Sequence, residues 1–491
     1  MNLLALLLLP TVAGVSAFFL RDDARRRLVL LLTAVVHAGL VVATWVSPPA
    51  PLLDGWLLLD RLGQLVLSIT SLLFLATAVY AVGYLGRERR DAHQDFEEGL
   101  LFTNAPEATF TACLLLFLAA MTLVTVSQRF GLLWVAIEAT TLASAPLIYF
   151  HRHHRSLEAA WKYLLICSVG IALALLGNFF LAVAASNPGG APIPLVLDDL
   201  IHAAGHLNIP WLKAAFLLFF VGYGTKMGLA PLHTWLPDAH SEAPSVVSAL
   251  LSGALLNCAF LGILRVQQVC VAAGLAAFGQ ELFIVFGLLS MAVAAVFIAG
   301  QADFKRLLAY SSVEHMGILT LGVGLGGAAS FGALLHAVNH SLTKAMLFLV
   351  AGNILATYQS KSTAEVRGVA RVLPVSGALW IAGLFAITGS PPFAPFLSEL
   401  TILKGALDQG RTVIAIVYLL LLAVIFVGMM TVMLRMAHGE ASAQSTDARL
   451  PETAWATVPP AVLAMLVLVL GVYIPPTLWT AIEEAARLLG S

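Results

Sequence analysis

The stretch Gly224–His233, GTKMGLAPLH, sets a lysine deep in an apolar run with a proline five residues after it. WLKAAFLLFFVGY (211–223) precedes it and SVVSALLSGALL (245–256) follows. If the run crosses a membrane, Lys226 is a charge where charges are rare, and Pro231 frees backbone groups where no bulk water can take them. Such a combination marks a cavity or an ion path, so the first question is whether the chain lies in a membrane.

Composition answers it. Of 491 residues, 60% are hydrophobic and only 11% are charged, with a mean hydropathy of +0.92. A soluble chain of this length needs far more charge to cover its surface, and apolar runs on this scale read as transmembrane helices. The formal net charge of -1 gives no sign of a nucleic-acid or strongly acidic partner. Cys113, Cys167, Cys258 and Cys270 lie in or beside apolar segments without a CxxC pair, which reads as buried small side chains and argues against a disulfide framework, a zinc site or an iron–sulfur motif.

Apolar runs of about 20 residues are expected near 1–20, 28–46, 62–85, 108–127, 130–150, 159–185, 211–232, 244–264, 281–300, 306–326, 331–357, 374–400, 411–435 and 456–474. The fold expected is therefore an all-α polytopic membrane protein with about fourteen transmembrane helices. The first run carries its positive charges after it, in RDDARRR (21–27), whereas a signal peptide carries them before, so it reads as a retained first helix. Loops after odd-numbered spans hold Arg21, Arg25–Arg27, Arg87, Arg89, Arg90, Arg152, Arg155, Lys305, Arg306, Lys361, Arg367, Arg371, Arg435 and Arg449. Loops after even-numbered spans are poorer, with Arg61, Arg129, Arg265, Lys404 and Arg411. The positive-inside rule then puts both termini outside the cytoplasm, in the cell inner membrane.

Several other ionisable residues interrupt the spans. Glu138, in GLLWVAIEATTL (131–142), lies eight residues past Phe130, roughly 12 Å deep at helical rise. His336, His340 and Lys344 recur at i, i+4 and i+8, which stacks them on one helix face. Glu399 follows TGSPPFAPFLS (388–398), where Pro391, Pro392 and Pro395 interrupt the twelfth span. A structural reading stays open for each: an ion pair that orients helices, or a hydrogen-bonded packing histidine. Lys162, Lys305 and Arg306 lie near helix starts, where snorkelling to the headgroups is the competing reading, and HRHHR (151–155) reads as a solvated loop.

The two broken spans, seven and twelve, are five apart. Spans four to eight and nine to thirteen then form two five-helix repeats, inverted because each has an odd number of helices. The division expected is an N-terminal three-helix segment (1–104), a first repeat acting as input half-channel (105–265), a second as output half-channel (266–435), and a C-terminal helix with its tail (436–491).

KMGLAPLHTWLPDAHSEAPSVVSALLSG (226–253), DFKRLLAYSSVEHMGIL (303–319), HAVNHSLTKAMLFLVAGNI (336–354) and GSPPFAPFLSE (389–399) resemble the antiporter-like subunits. These are the proton-translocating membrane subunits of respiratory complex I, Mrp-type cation/proton antiporters and group 4 membrane-bound hydrogenases. YSSVEHMGI (310–318) with ALLSGALLNCAF (249–260) is most similar to the hydrogenase-4 and formate hydrogenlyase branch. The resemblance implies that Glu138 and Lys226 are a gating pair and that His336, His340 and Lys344 are a polar ladder. It also implies that Glu399 is the terminal ionisable group, and that His233 and His240 belong to the loop motif after the first break, with His233 expected on the proton path. Relatives in the complex I branch often carry a lysine where this chain has Asn257, which can hold water but not a relayed charge. After the last span only TLWTAIEEAARLLGS (477–491) follows, without the long lateral helix of the largest complex I pump subunit.

The resemblance further implies no cofactor in this chain. Its partners would be other membrane subunits, the lipid bilayer and, through those subunits, iron–sulfur, hydrogenase-like or quinone-reducing proteins that carry the electrons. Two rivals stay open: a subunit of a sodium/proton antiporter, and a membrane scaffold whose buried charges only fix packing.

Overall fold

Polar residues at the ends of the apolar runs decide where the helices start. In the computed structural model, which describes residues 3–88, 93–96, 98–186, 192–440 and 452–490, Asp22 caps the second helix through the Ala24 N–H and Asp60 the third through the Gly63 N–H. The His153 ring accepts from the Ser156 N–H to cap the sixth, and Asp303 accepts from the N–H groups of Lys305 and Arg306. Each cap satisfies donors that a helix start otherwise leaves unpaired.

The helices are α1 (Leu3–Phe19), α2 (Asp23–Val46), α3 (Arg61–Leu85), α4 (Glu107–Val126), α5 (Phe130–Ile148), α6 (His154–Ala184), the short α7 (Leu197–His202), α8 (Ile209–Met227) and α9 (Trp235–Glu242). They continue with α10 (Ser245–Ala272), α11 (Ala276–Ile298), α12 (Phe304–Leu325), α13 (Ala328–Tyr358), α14 (Pro374–Ile387), α15 (Ala394–Asp408), α16 (Thr412–His438), α17 (Ala454–Val472) and α18 (Pro476–Arg487). A two-residue ladder, His93–Gln94 against Leu101–Phe102, lies between α3 and α4.

Every expected apolar run falls on one helix except 374–400, which covers α14 and the start of α15; the run 211–232 covers α8 and the break after it and ends before α9. Ten of the described helices are by themselves long and apolar enough to cross a membrane. The exceptions have identifiable causes: α1 is short, the half-helices are broken, and α12 carries Lys305, Arg306, Glu314 and His315. Packing follows a pattern, with α4 on α5, α11 on α12, α6 on α8 and α13 on α15. Backbones meet closely at two of these contacts: a Cβ on Gly222 would lie 2.5 Å from Gly170 O, and one on Gly287 2.8 Å from Gly317 O. Small residues at such crossings are how membrane helices gain dispersion contact without a hydrophobic driving force.

Several expectations about cations are corrected. Arg265 is not a loop charge, because α10 runs on to Ala272 and keeps it 1% exposed. Its guanidinium donates to Val124 O (3.0 Å), Thr125 O (2.7 Å) and Ser127 O, the unpaired carbonyls at the end of α4, and pairs with Asp60 at 3.1 Å. Lys404 lies inside α15 and pairs with Asp408. Lys305 does not snorkel: it is buried and donates to Ser241 O (3.0 Å) and Ala243 O (2.6 Å), closing the C-terminal end of α9. Lys162 and Arg306 converge on the Asp238 carboxylate at 2.9 and 2.6 Å. HRHHR is not simply solvated, since Arg155 holds the buried Asp95 at 2.8 Å and His151 bonds Tyr84 and Asn104. The four cysteines are buried and free, as expected. Arg89, Arg90 and Arg449 lie outside the described residues.

Replacing Arg265 with Met is expected to lower stability by about 3–5 kcal/mol, because Asp60 and three carbonyls lose their partner together. Thermal unfolding in mild detergent checks this; a midpoint unchanged from the parent protein would contradict the capping role.

Candidate functional site

Lys226 is the penultimate residue of α8, and the sequence ends that helix by ordinary means. Gly228 adopts φ 83°, the left-handed cap conformation that glycine tolerates best, and Leu229 N–H returns to Gly224 O at 2.9 Å. Residues 228–234 then run irregularly before α9 begins. The freed backbone groups find protein partners: Trp235 Nε1 donates to Thr225 O at 2.8 Å, and Ala230 N–H donates to Ser290 Oγ on α11 at 3.0 Å. The first break is therefore held by a residue of the second half of the chain.

The Lys226 ammonium is fully buried. It donates to Thr141 Oγ1 at 2.9 Å and to the Tyr163 hydroxyl, and lies 4.3 Å from the Tyr163 ring centroid. Thr141 Oγ1 in turn donates to Glu138 Oε2 at 3.2 Å, and the Tyr163 hydroxyl meets Ser144 Oγ at 2.6 Å. Glu138 and Lys226 are thus brought together, but through a hydroxyl. Among the described residues they form no direct ion pair. The reason is helix periodicity: Thr141 is three residues after Glu138 on the same face of α5 and occupies the space between the two charges.

The second break, 388–393, lies between α14 and α15. Gly389 sits there at φ 63°, and a Cβ on it would come within 1.9 Å of Glu399 Oε2, so the carboxylate of Glu399 lies against the break. The Ala394 carbonyl, at the start of α15, accepts from Asn339 Nδ2 at 2.8 Å. His336 is hydrogen-bonded on both sides, to His315 through Nε2 (2.8 Å) and to Ser398 Oγ through Nδ1 (2.9 Å). The His340 ring is 5.0 Å from that of His315, and neither of its nitrogens has a protein hydrogen-bond partner. Lys344 Nζ, fully buried, donates to Leu308 O at 2.6 Å, with Glu314 of α12 as its neighbouring opposite charge.

The two clusters are joined across α10. Residues Leu251–Leu255 form a π-turn, a helix irregularity frequent at functional sites. Asn257 just after it donates to Gly253 O (2.9 Å) and to Ser341 Oγ on α13 (2.7 Å), leaving its buried carbonyl oxygen without a protein partner. Ser252 meets Ser312 of α12 at 2.8 Å. His240 stacks on Phe348 with ring centroids 4.9 Å apart, and both its nitrogens are buried without a protein partner. His233 sits in the first break with its ring 6.2 Å from that of Tyr310, outside both clusters.

A family model described as NADH:quinone oxidoreductase/Mrp antiporter, transmembrane, matches residues 127–426. The chain belongs to that family. It is 34% identical over 444 residues to the hydrogenase-4 component F homolog of Methylacidiphilum infernorum, covering 89% of each. It is 30% identical over 377 residues to hydrogenase-4 component B of Escherichia coli, covering 74% of this chain and 53% of that relative, about half its length. In fold it is similar to a chain of the membrane-bound sulfane sulfur reductase, an archaeal respiratory membrane complex (TM-score 0.86, 20% identity, 99% of this chain and 97% of that one). It is also similar to a chain of the Mrp complex from Dietzia sp. (TM-score 0.82, 21% identity, 99% and 97%). This antiporter-family chain is thus a multi-pass, mostly helical membrane protein.

Sequence reading missed Thr141, Tyr163, Glu314, His315 and Ser398. Glu314 and His315 carried a visible signal, two ionisable residues inside an apolar span. Thr141, Tyr163 and Ser398 carried none, because hydroxyls are common in membrane helices and only the fold shows which ones face a charge.

Changing Thr141 to Val removes the hydroxyl from between the two charges, and hydrogen bonds to charged groups are worth about 1.5–3 kcal/mol. Unfolding in detergent is expected to show a loss of that order for Thr141→Val and little for Thr141→Ser. Equal stability of the two variants would mean that Thr141 does not link Glu138 to Lys226.

Proposed function

We propose that this chain is a proton-conducting, antiporter-like subunit of a hydrogenase-4-type or NADH:quinone oxidoreductase-type membrane complex. The observation that carries the reading is a difference among its buried charges. Arg265 and Lys305 are surrounded by backbone acceptors, and Lys361 is paired with Glu242 at 2.8 Å. Those groups hold helix ends. Lys344 has a single close acceptor, and His240, His340 and Glu314 Oε2 are buried without a protein partner. A buried polar group left so is costly, and a chain of them is a place for water and for moving protons.

In the order proposed, Glu138, Thr141 and Lys226 form the first half of the path. Making and breaking the contact between the carboxylate and the ammonium changes which of them holds the proton, since burial disfavours a charge and a partner favours it. Asn257 replaces a relayed charge with a hydrogen-bonded polar station, so the step between halves runs through water near Ser341, His240 and His340. Lys344, His340, His315 and His336 carry the proton onward, and Glu399 exchanges it beside the second break. His233, expected on the path, lies in the first break with its ring 6.2 Å from that of Tyr310, and the order proposed leaves it out. The like-for-like packing of α4 on α5 with α11 on α12, and of α6 on α8 with α13 on α15, supports two inverted repeats within residues 105–265 and 266–435. Fourteen crossings in the inner membrane with both termini outside complete this reading. Electron transfer belongs to partner subunits, and co-purification separates the two coupled systems. Iron–sulfur and nickel- or quinone-handling subunits support the redox complex, whereas small hydrophobic subunits without metal point to a cation antiporter.

Glu399→Gln is expected to leave the complex assembled and to slow proton uptake into inverted vesicles by tenfold or more, about 1.4 kcal/mol in the barrier. Uptake equal to that of the parent protein would exclude Glu399 from the path. His340 and Lys344 are expected to act as one unit, so that His340→Ala, Lys344→Ala and the double variant lose similar amounts of uptake. Independent, multiplying losses would make them packing residues.

A further inference from the structure

We propose that His315, His336 and Glu399 form a binding site for a divalent transition-metal cation of the Zn2+ class, and that the bound ion blocks the second half of the path. All three residues are buried, and one ligand atom from each lies within 4.8 Å of the others. They come from three elements, α12, α13 and α15, so the site is made by tertiary packing around the second break. Two imidazoles and one carboxylate are a donor set that suits zinc, whereas hard cations such as sodium or magnesium take oxygen ligands. The carboxylate supplies the negative charge that a dication needs inside a membrane protein.

One further feature fits a metal site. His336 Nδ1 is hydrogen-bonded to Ser398 Oγ at 2.9 Å, which orients the ring with its Nε2 toward the cluster, as the outer partners of metal-bound histidines do. Occupancy requires one adjustment. His315 Nδ1 and His336 Nε2 are 2.8 Å apart and share a proton. Tetrahedral Zn–N bonds of about 2.0–2.1 Å set two ligand nitrogens about 3.3 Å apart, so the rings part by roughly half an ångström and the proton leaves. A metal held this way occupies the nitrogens that would pass the proton from His315 to His336, and it ties up Glu399 as well. The block, unlike the binding, rests on the proton path proposed above.

The test uses the full chain without a polyhistidine tag, purified in mild detergent and titrated with Zn2+ against a chromophoric chelator. One tight site per chain is expected, weakened at least tenfold in His315→Gln and in His336→Gln and about tenfold in Ser398→Ala, within the 10–100-fold range typical of outer partners. His37→Gln is the control, because His37 is equally buried but bonded to Ser71 and Thr122, away from the cluster. Its zinc affinity is expected to match the parent protein. A parent protein that binds no zinc tightly, or a folded, monodisperse His315→Gln/His336→Gln variant that binds it equally well, overturns the site. Zinc that binds at the site and leaves proton uptake unchanged overturns the block. Uptake measured in a chelator, without zinc, tests the path by itself, so failure of the site and failure of the path read out separately.

Discussion

An ammonium group inside a membrane protein keeps its charge only if the protein supplies the acceptors that water would have supplied. Lys226 meets that demand with Thr141 Oγ1, the Tyr163 hydroxyl and the face of the Tyr163 ring. The surrounding architecture follows from it. α8 has to stop at Met227 for the ammonium to lie beside α5 and α6. Stopping requires the left-handed Gly228, and the irregular segment that follows requires Ser290 and Trp235 to take its loose backbone groups. Because Ser290 belongs to α11, satisfying the first break ties the two halves of the chain together.

The second half meets the same constraint with different residues. Lys344 relies on one backbone carbonyl and on Glu314, and around it stand histidines that touch each other more than they touch the backbone. That contrast separates two kinds of buried charge in one chain. Arg265 donates through both terminal nitrogens to three carbonyls and Asp60, with only its Nε–H left unpartnered, and so fixes a helix end. A lysine with one acceptor and imidazoles with none have room to exchange protons. Neither helix propensity nor hydropathy distinguishes these cases, and only the surroundings do.

Much of the fold was legible in the sequence because a membrane leaves few options. Apolar runs of span length had to be helices, and each of them is one or a pair. The breaks were legible from Pro231 and from Pro391 and Pro392, and the stripe His336, His340 and Lys344 from helical spacing. The failures also have physical causes. Glu138 and Lys226 were expected to touch, but the hydroxyl between them is set by which face of α5 packs inward, and spacing alone does not show that. Lys305 and Arg265 were misread as interfacial because a cation near a helix end can either reach for headgroups or cap a neighbouring helix. Sequence gives its position along one helix, not the position of the neighbour. His315 and Glu314 become site residues only once α12 lies against α13.

The central claim is that the charges of Glu138 and Lys226 serve conduction rather than packing, and a double replacement tests it most directly. Losing Glu138, which is partly buried and reaches Lys226 through Thr141 Oγ1, leaves the fully buried ammonium without its counter-charge, a cost bounded by the roughly 3–5 kcal/mol of a dry, direct pair, and losing both strands no charge. Glu138→Gln with Lys226→Met, in the intact complex reconstituted into vesicles, is predicted to be more stable than either single variant while turnover-driven proton uptake stays abolished. Uptake at the rate of the parent complex in that double variant would contradict the account.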